Sequence, residues 1–334
     1  MGKTIGETIE IRMMRMENKK YEVSVAVVTY NADNKKLKMT LNSIIAQEKV
    51  DVQIVIGDDG SKIKDFDEIR KYFEEKNFTE YKIVENPINQ GTVKNLLSAV
   101  EACTGQFVKP ISPGDLLYSE DTLREWIDDM KQKGTKVGFG YTANYKESAG
   151  HIEPASARAF PQDTSVYAGE KNEHLLMKQY LLCEDICTGA STIVDTELMR
   201  LYLNKIVGKV KFAEDNVYRL MIFDGIKVSF LPKNVVLYEY GDGVSTSNNS
   251  IWLQRIRDDW NASSDIMLLD YDANNTFHKK FKSHIAQRDN GKFKKLLYYV
   301  ANPFLMLFKI KTKIKLRKTE ENISTEFYNK CKIM

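Results

Sequence analysis

The sequence predicts an α/β protein built on a doubly wound, mostly parallel sheet. Short apolar segments rich in β-branched residues alternate with amphipathic helical segments over residues 21–115. This alternation is typical of βαβ units, in which helices cover both faces of a parallel sheet. Small and acidic residues follow the apolar segments. Ligands of such sheets bind beyond the carboxyl ends of the strands, so we expect the functional site there.

The first half of the chain contains four predicted strands, at residues 23–30, 52–56, 81–85 and 105–111. The first, VSVAVVTY, is largely apolar at successive positions, as expected of a strand that is buried on both faces. Helices are predicted between the strands, at residues 36–47, 65–76 and 92–102. In the first of these helices, Leu37, Leu41 and Ile44 recur at helical spacing and predict its buried face.

The second half of the chain has a less regular pattern. Helices are predicted at residues 122–133, 173–183, 196–204, 214–223 and 251–269, and strands at residues 137–145, 227–231 and 235–240. Residues 151–168 have few periodic apolar residues and predict a loop, and residues 248–334 predict a helical C-terminal region. Residues 1–20 are expected to be an extension outside the fold, with residues 1–15 preceding a native start at Met16.

The composition argues against several classes of protein. A net charge of +3 over 334 residues gives no basis for binding nucleic acid. The four cysteines form no CxxC pair and have no histidine cluster nearby, so a zinc site is not predicted. Because the N-terminus carries no apolar signal segment, we expect a cytoplasmic protein with free thiols.

Acidic residues at two predicted strand ends indicate a ligand site. Asp58 and Asp59 follow the second strand, where a carboxylate can accept hydrogen bonds from a nucleobase imide or a ribose hydroxyl. Tyr30, at the end of the first strand, is placed to lie against a base. Asp115 follows the fourth strand, where it either helps to hold a divalent cation that neutralises a diphosphate or caps the following helix.

A further acidic pair, Glu214 and Asp215, begins a predicted helix. A carboxylate that faces a reacting carbon can act as the general base for an acceptor hydroxyl. The helix dipole also favours acidic residues in a first turn, so the spacing alone leaves both interpretations open.

As a set, these motifs resemble the family-2 glycosyltransferases with the A-type fold. The matching sequences are VVTYN at 27–31, IVIGDDGS at 54–61, NPINQG at 86–91, KN at 94–95, ACTGQF at 102–107, AED at 213–215 and YGDGVS at 240–245. The resemblance covers about residues 22–247 and is strongest through Asp115. It implies a transferase domain over residues 21–247, with a nucleotide-binding half at 21–115 and an acceptor half at 116–247.

The resemblance implies a role for each matching residue. Those that would bind the donor nucleotide and its phosphates are Thr29, Tyr30, Asn31, Asp58, Asp59 and Lys94. Asp115 would be the last acid of the metal motif and would bind Mn²⁺ or Mg²⁺. Asp215, with Glu214 beside it, would be the general base of a direct displacement that inverts the anomeric centre.

One departure from the family pattern concerns the metal motif, which usually reads Asp-x-Asp-Asp. Ser112, Pro113 and Gly114 precede Asp115 here, so we expect weak cation binding. A homologue that binds a nucleotide-sugar without catalysis, in a regulatory or scaffolding role, is therefore the alternative. The intact Glu214–Asp215 pair favours an enzyme.

The acceptor side is expected to include Ser191 and Ser245, in loops that structural turns would also explain. Residues 292–310 are rich in aromatic and aliphatic side chains, are too short to span a bilayer, and have lysines on both sides. This composition favours an interfacial segment at the inner face of the cell membrane over a helix packed on the domain. Such a segment fits a saccharide acceptor linked to a polyprenyl lipid. The resemblance to family-2 glycosyltransferases implies a UDP-sugar donor and a part in bacterial capsule, O-antigen or cell-wall synthesis.

Overall fold

The computed structural model describes residues 21–62, 65–148, 151–167, 173–241, 250–288, 290–314, 317–319, 323 and 325–334. Within these ranges a mixed, mostly parallel sheet of nine strands has helices on both faces, which confirms the predicted fold class. The strands are β1 (Tyr21–Thr29), β2 (Val52–Asp58), β3 (Tyr81–Glu85), β4 (Gly105–Ile111), β5 (Leu116–Leu117), β6 (Val137–Ser148), β7 (His151–Pro154), β8 (Thr192–Asp195) and β9 (Val228–Glu239).

The sheet order is β3-β2-β1-β4-β8-β6-β9-β5, with β7 paired to β6. Strands β1 to β4 are parallel to one another where they pair, whereas β8 is antiparallel to both β4 and β6. Strand β1 has β2 on one side and β4 on the other, so the direction in which strands are added to the sheet reverses at β1. A reversal of this kind opens a crevice at the carboxyl ends of the strands.

Twelve α-helices are described in the same ranges. They are α1 (Asn34–Ile45), α2 (Phe66–Glu75), α3 (Thr92–Ala102), α4 (Thr122–Lys133), α5 (Glu173–Met177), α6 (Thr196–Ile206), α7 (Asn216–Phe223), α8 (Ser250–Leu269), α9 (Thr276–Ile285), α10 (Lys292–Ala301), α11 (Pro303–Ile314) and α12 (Glu326–Ile333).

The alternation of side chains along β1 divides the core into two layers. Val23, Val25 and Val27 pack with α1, α2 and α4 on one face. Ala26 packs on the other face with α3, α6 and α7. Because β1 lies between these two layers, its carboxyl end is fixed from both sides.

The second half differs from prediction in several places, and strands β5 and β8 were not predicted. The predicted loop at 151–168 was wrong at its start, because β7 forms there as a hairpin partner of β6. The two strands predicted at 227–231 and 235–240 are one strand, β9, in which a register shift against β6 accommodates the intervening Pro-Lys-Asn. The helix predicted at 173–183 changes from α to π geometry at Lys178–Leu182. Pairing partners distant in sequence decide such short elements.

Helices α10 and α11 form the amphipathic segment of the C-terminal region and meet at Asn302, just before Pro303. Proline cannot donate the backbone hydrogen bond that would continue α10, so the segment is broken there. Over the residues described, no helix combines the length and apolar character needed to cross a bilayer. Most of the apolar side chains of α10 and α11 are exposed.

Helix α12 returns to the domain and packs against α1 and β6. Tyr328 is fully buried in a cluster that includes Met39 and Tyr145. We expect Tyr328→Ala to lower the free energy of unfolding by about 3–5 kcal/mol, because it leaves a cavity in this cluster. Ile333→Ala, at an exposed position of the same helix, should change it by less than about 0.5 kcal/mol. Urea denaturation measures both values, and equal effects would contradict the packing of α12.

Candidate active site

Side chains at the carboxyl ends of β1 and β2 are joined by hydrogen bonds. The Thr29 hydroxyl donates to Oδ1 of Asp58 at 3.3 Å, and the Ser61 N–H donates to its Oδ2 at 3.0 Å. The Asn31 N–H donates to Oγ of Ser61 at 2.7 Å, and the Asn31 side-chain carbonyl accepts from the Lys62 N–H at 2.9 Å. These bonds bring residues 29–31 together with residues 58–61, as the sequence predicts for a nucleotide pocket.

Asp59 connects this edge to the loop before α3. Its carboxylate is 3% exposed and accepts the N–H groups of Gln90 and Gly91 at 2.8 and 2.9 Å. Burial raises the pKa of the Asp59 carboxyl, and these two hydrogen bonds oppose the rise. Tyr30, which directly follows β1, is 48% exposed.

Two lysines stand near this edge. Lys94, on the first turn of α3, is exposed. Lys211 was not predicted; its side chain lies against Gly91, where an added Cβ would approach Lys211 Cγ to 2.6 Å. Its positive charge also lowers the pKa of Asp59. No sequence pattern indicates Lys211, because the chain brings it to the crevice from a loop more than a hundred residues away.

Asp115 follows β4 and is 7% exposed. Its Oδ1 accepts the Glu239 N–H at 3.0 Å, and its carbonyl accepts the Thr40 hydroxyl at 2.8 Å. Burial raises the pKa of Asp115 to about 7. Asp115 does not cap a helix, because β5 follows it and α4 begins only at Thr122.

A second carboxylate lies beside Asp115. Gly114 has a φ of +99°, and a side chain at this position would collide with the carboxylate of Glu239. Glu239 therefore occupies the space that the family's acid at residue 114 would need. Lys36 pairs with Glu239 at 2.6 Å. The adjacent carboxylates of Asp115 and Glu239 offer oxygen ligands, which a hard divalent cation prefers. No group of three ligating side chains is found within the described part of the chain.

Glu214 and Asp215 follow Lys211 in the sequence and lie immediately before α7. Asp215 is the residue that precedes the first helical position, and both side chains keep partial exposure. Burial raises the pKa of both carboxyls, and the Asp215 charge raises that of Glu214 further. The Arg219 guanidinium opposes the rise at Asp215. An elevated pKa is common in carboxylates that take up protons near neutral pH.

The predicted acceptor loop lies next to Asp215. An added Cβ at Gly189 would approach Asp215 Cβ to 3.0 Å. Ser191 itself is fully buried, and its hydroxyl donates to the Thr188 carbonyl, so the backbone at 188–190 borders the acid rather than the Ser191 side chain. Ser245 lies outside the described residues.

Lys109 on β4 binds the backbone of the same loop. It is fully buried, and its ammonium donates to the Ala190 carbonyl at 2.7 Å. Burial lowers the pKa of Lys109 to about 7, and the nearby Asp115 carboxylate opposes this shift. Lys109 therefore connects the Asp115 end of the crevice with the loop that contacts Asp215.

Comparisons with known proteins agree with this arrangement. The family model described as glycosyl transferase family 2 matches residues 24–195, which is more than half of the chain. No curated protein matches the chain. Two solved structures of S. aureus TarS 1-349, one in complex with UDP and one in complex with UDP-GlcNAc, each give a TM-score of 0.52 at 17% identity. They cover 80% of this chain and 71% and 72% of TarS 1-349. The likeness at this identity is one of fold.

The raised pKa of Glu214 has a consequence for stability. Below pH 4.5 the carboxyl is protonated in the folded and unfolded chains alike. As pH rises toward the folded-state pKa, the unfolded chain binds fewer protons, so the folded state loses stability. Glu214→Gln has no carboxyl at this position and does not lose stability in this way. The free energy of unfolding of the variant minus that of the wild type should therefore increase by on the order of 1 kcal/mol between about pH 5 and pH 9.

Glu74→Gln provides the matched control, because Glu74 is exposed on α2. Its stability relative to the wild type should not vary over this pH range. Urea denaturation at several pH values measures both differences. If the free energy of unfolding of Glu214→Gln minus that of the wild type is constant or decreases as pH rises, burial of the Glu214 charge is contradicted.

Proposed function

The chain belongs to glycosyl transferase family 2, and on that premise we propose that it is an inverting glycosyltransferase. It moves a sugar from a nucleotide diphosphate donor to a hydroxyl group of a saccharide acceptor. The observation that carries this proposal is the path of residues 211–215. Lys211 contacts Gly91 at the nucleotide edge, and Asp215 contacts Gly189 at the acceptor loop. One short segment thus joins the two halves of the site.

In this proposal the nucleotide binds at the ends of β1 and β2. Tyr30 lies against the base, and Asp59 accepts a hydrogen bond from it while it holds the loop at Gln90 and Gly91. Thr29, Asn31 and Asp58 fix the shape of the pocket. The UDP and UDP-GlcNAc complexes of TarS, which shares the fold, support a UDP-sugar as the donor.

Asp215 acts as the general base in one displacement step. The acceptor hydroxyl gives its proton to the Asp215 carboxylate as its oxygen bonds to the anomeric carbon. The bond between that carbon and the diphosphate oxygen breaks on the opposite face, so the configuration inverts. Glu214 raises the proton affinity of the site by adding negative charge beside the base, which suits proton transfer near neutral pH.

The departing diphosphate requires positive charge. Lys211 and Lys94 supply part of it from the crevice wall. Asp115 and Glu239 are the residues that would hold Mn²⁺ or Mg²⁺, and such a cation would neutralise charge on the leaving oxygen. The Lys36–Glu239 ion pair competes for this position, which supports the expectation of weak cation binding.

The amphipathic segment, α10 and α11, supports an acceptor presented at a membrane surface. Its exposed apolar side chains are Phe293, Leu296, Leu297, Val300, Phe304, Leu307, Ile310 and Ile314. Lysines flank this surface, and no acid occurs between Lys292 and Lys318. Apolar burial and attraction to anionic lipid would both hold the segment at the inner face of the cell membrane. A polyprenyl-linked saccharide of capsule, O-antigen or cell-wall synthesis fits this location.

We expect Asp215→Asn to lower transfer by about 10³-fold, because the amide cannot take the acceptor proton. The UDP dissociation constant, measured by titration calorimetry, should change by less than about threefold, since Asp215 lies outside the nucleotide pocket. Asp224→Asn, at the exposed far end of α7, is the matched control and should keep wild-type transfer.

The assay is release of UDP, GDP or TDP from a panel of nucleotide-sugars. Full turnover by Asp215→Asn would contradict its role as base, and turnover confined to GDP- or TDP-sugars would contradict the UDP donor. A wild-type protein that binds UDP but turns over no nucleotide-sugar would favour the regulatory alternative.

We expect the chain to sediment with vesicles of phosphatidylcholine and phosphatidylglycerol, less with phosphatidylcholine alone, and less as salt increases. Leu296→Ser with Leu307→Ser should weaken binding at least about tenfold, because apolar area is lost from the membrane contact. Leu201→Ser, at an exposed position on α6, should bind as the wild type does. Equal binding by all variants would contradict the membrane contact.

A further inference from the structure

Asp259, on α8, is a buried acid whose carboxylate accepts three backbone N–H groups. The side chain is 5% exposed. Oδ1 accepts the Lys211 N–H at 2.9 Å, and Oδ2 accepts the Phe212 and Ala213 N–H groups at 2.7 and 2.9 Å. Hydrogen bonds to a charged acceptor in a dry environment are among the strongest in proteins. Three of them on consecutive residues fix the backbone path of 211–213.

The segment held in this way reaches both sides of the site. The Lys211 carbonyl accepts the Val93 N–H at 3.1 Å, at the start of α3, and the Lys211 side chain covers Gly91. Glu214 and Asp215 follow the anchored residues directly. A shift of Asp259 would therefore displace the donor-side lysine and the general base together.

Helix α8 also anchors the helix that follows the base. Arg219 of α7 donates to the Trp260 carbonyl at 2.9 Å and to Oγ of Ser264 at 3.0 Å. Its guanidinium carbon lies 3.5 Å from the centre of the Trp260 ring. The segment that carries Glu214 and Asp215 is thus attached to α8 both before and after the acidic pair.

We propose that Asp259 is a positioning residue of the transfer reaction, which holds residues 211–213 so that Lys211 faces the donor and Asp215 faces the acceptor. This inference rests on the proposed function. It assigns to α8, outside the matched family region, a direct part in the geometry of the site.

The charge of Asp259 also acts on the base. It raises the pKa of both Glu214 and Asp215, whereas Arg219 lowers that of Asp215. Two further ionisable groups, Tyr180 and Tyr218, face the same acids from the π-helical turn and from α7. Replacing Asp259 with a neutral side chain should consequently lower the pKa of the acidic pair.

The test compares Asp259→Asn with Asp258→Asn. Asp258 is the exposed neighbour on α8 and accepts a hydrogen bond from Gln254. In Asp259→Asn an amide group replaces one acceptor oxygen, so we expect kcat to fall by about 10–100-fold through misplacement of the base. The acidic limb of the pH profile should shift to lower pH, and amide hydrogen exchange should increase at 211–215. Asp258→Asn should match the wild type in all three measurements.

Unchanged kcat in a folded Asp259→Asn, or unchanged exchange at 211–215, would overturn the proposal. If Asp259→Asn does not fold, Asp259→Glu keeps the charge but displaces it; its kcat should fall while the acidic limb stays in place, and wild-type kcat would overturn the proposal. Failure of the proposed function is recognised separately, because the wild-type protein would then transfer no sugar.

Discussion

Buried carboxylates that accept backbone N–H groups hold the site of this protein together. Asp59 binds the loop before α3, Asp115 binds the end of β9, and Asp259 binds the segment before the acidic pair. Asp59 and Asp115 follow strands of the sheet, Asp259 lies in the middle of α8, and each carboxylate reaches a segment from elsewhere in the chain. A charged acceptor compensates for its burial only if several donors converge on it. The loops are therefore held in one arrangement.

Under the proposed function, this construction would let a donor half and an acceptor half act on the same bond. The reacting groups must meet within about an ångström of the productive geometry, and loops alone rarely give that precision. Here the segment from Lys211 to Asp215 has anchors on α8 on both sides and contacts the two halves through glycines 91 and 189. Lys211 and Asp215, the proposed base, therefore lie on one anchored segment.

The sequence predicts the parts of this site that local pattern determines. Strands β3 and β4 and helices α3 and α4 have the predicted bounds, because their periodicity and turn residues are local. Asp58 and Asp59 could be found because the ends of parallel strands converge. Glu239 and Asp259 could not, since each reaches the site through pairing or packing with residues far away in sequence. The departure at Gly114 is visible in the sequence, but the carboxylate that fills its space is visible only in the structure.

The most direct test of this account is a crystal structure of the protein with UDP and Mn²⁺. The uracil ring should lie against Tyr30, within hydrogen-bonding distance of Asp59, and the diphosphate should lie between Lys211 and Asp115. The β-phosphate, to which the donor sugar would be attached, should face Asp215. UDP bound elsewhere on the chain, or a uracil ring that contacts neither Tyr30 nor Asp59, would contradict it.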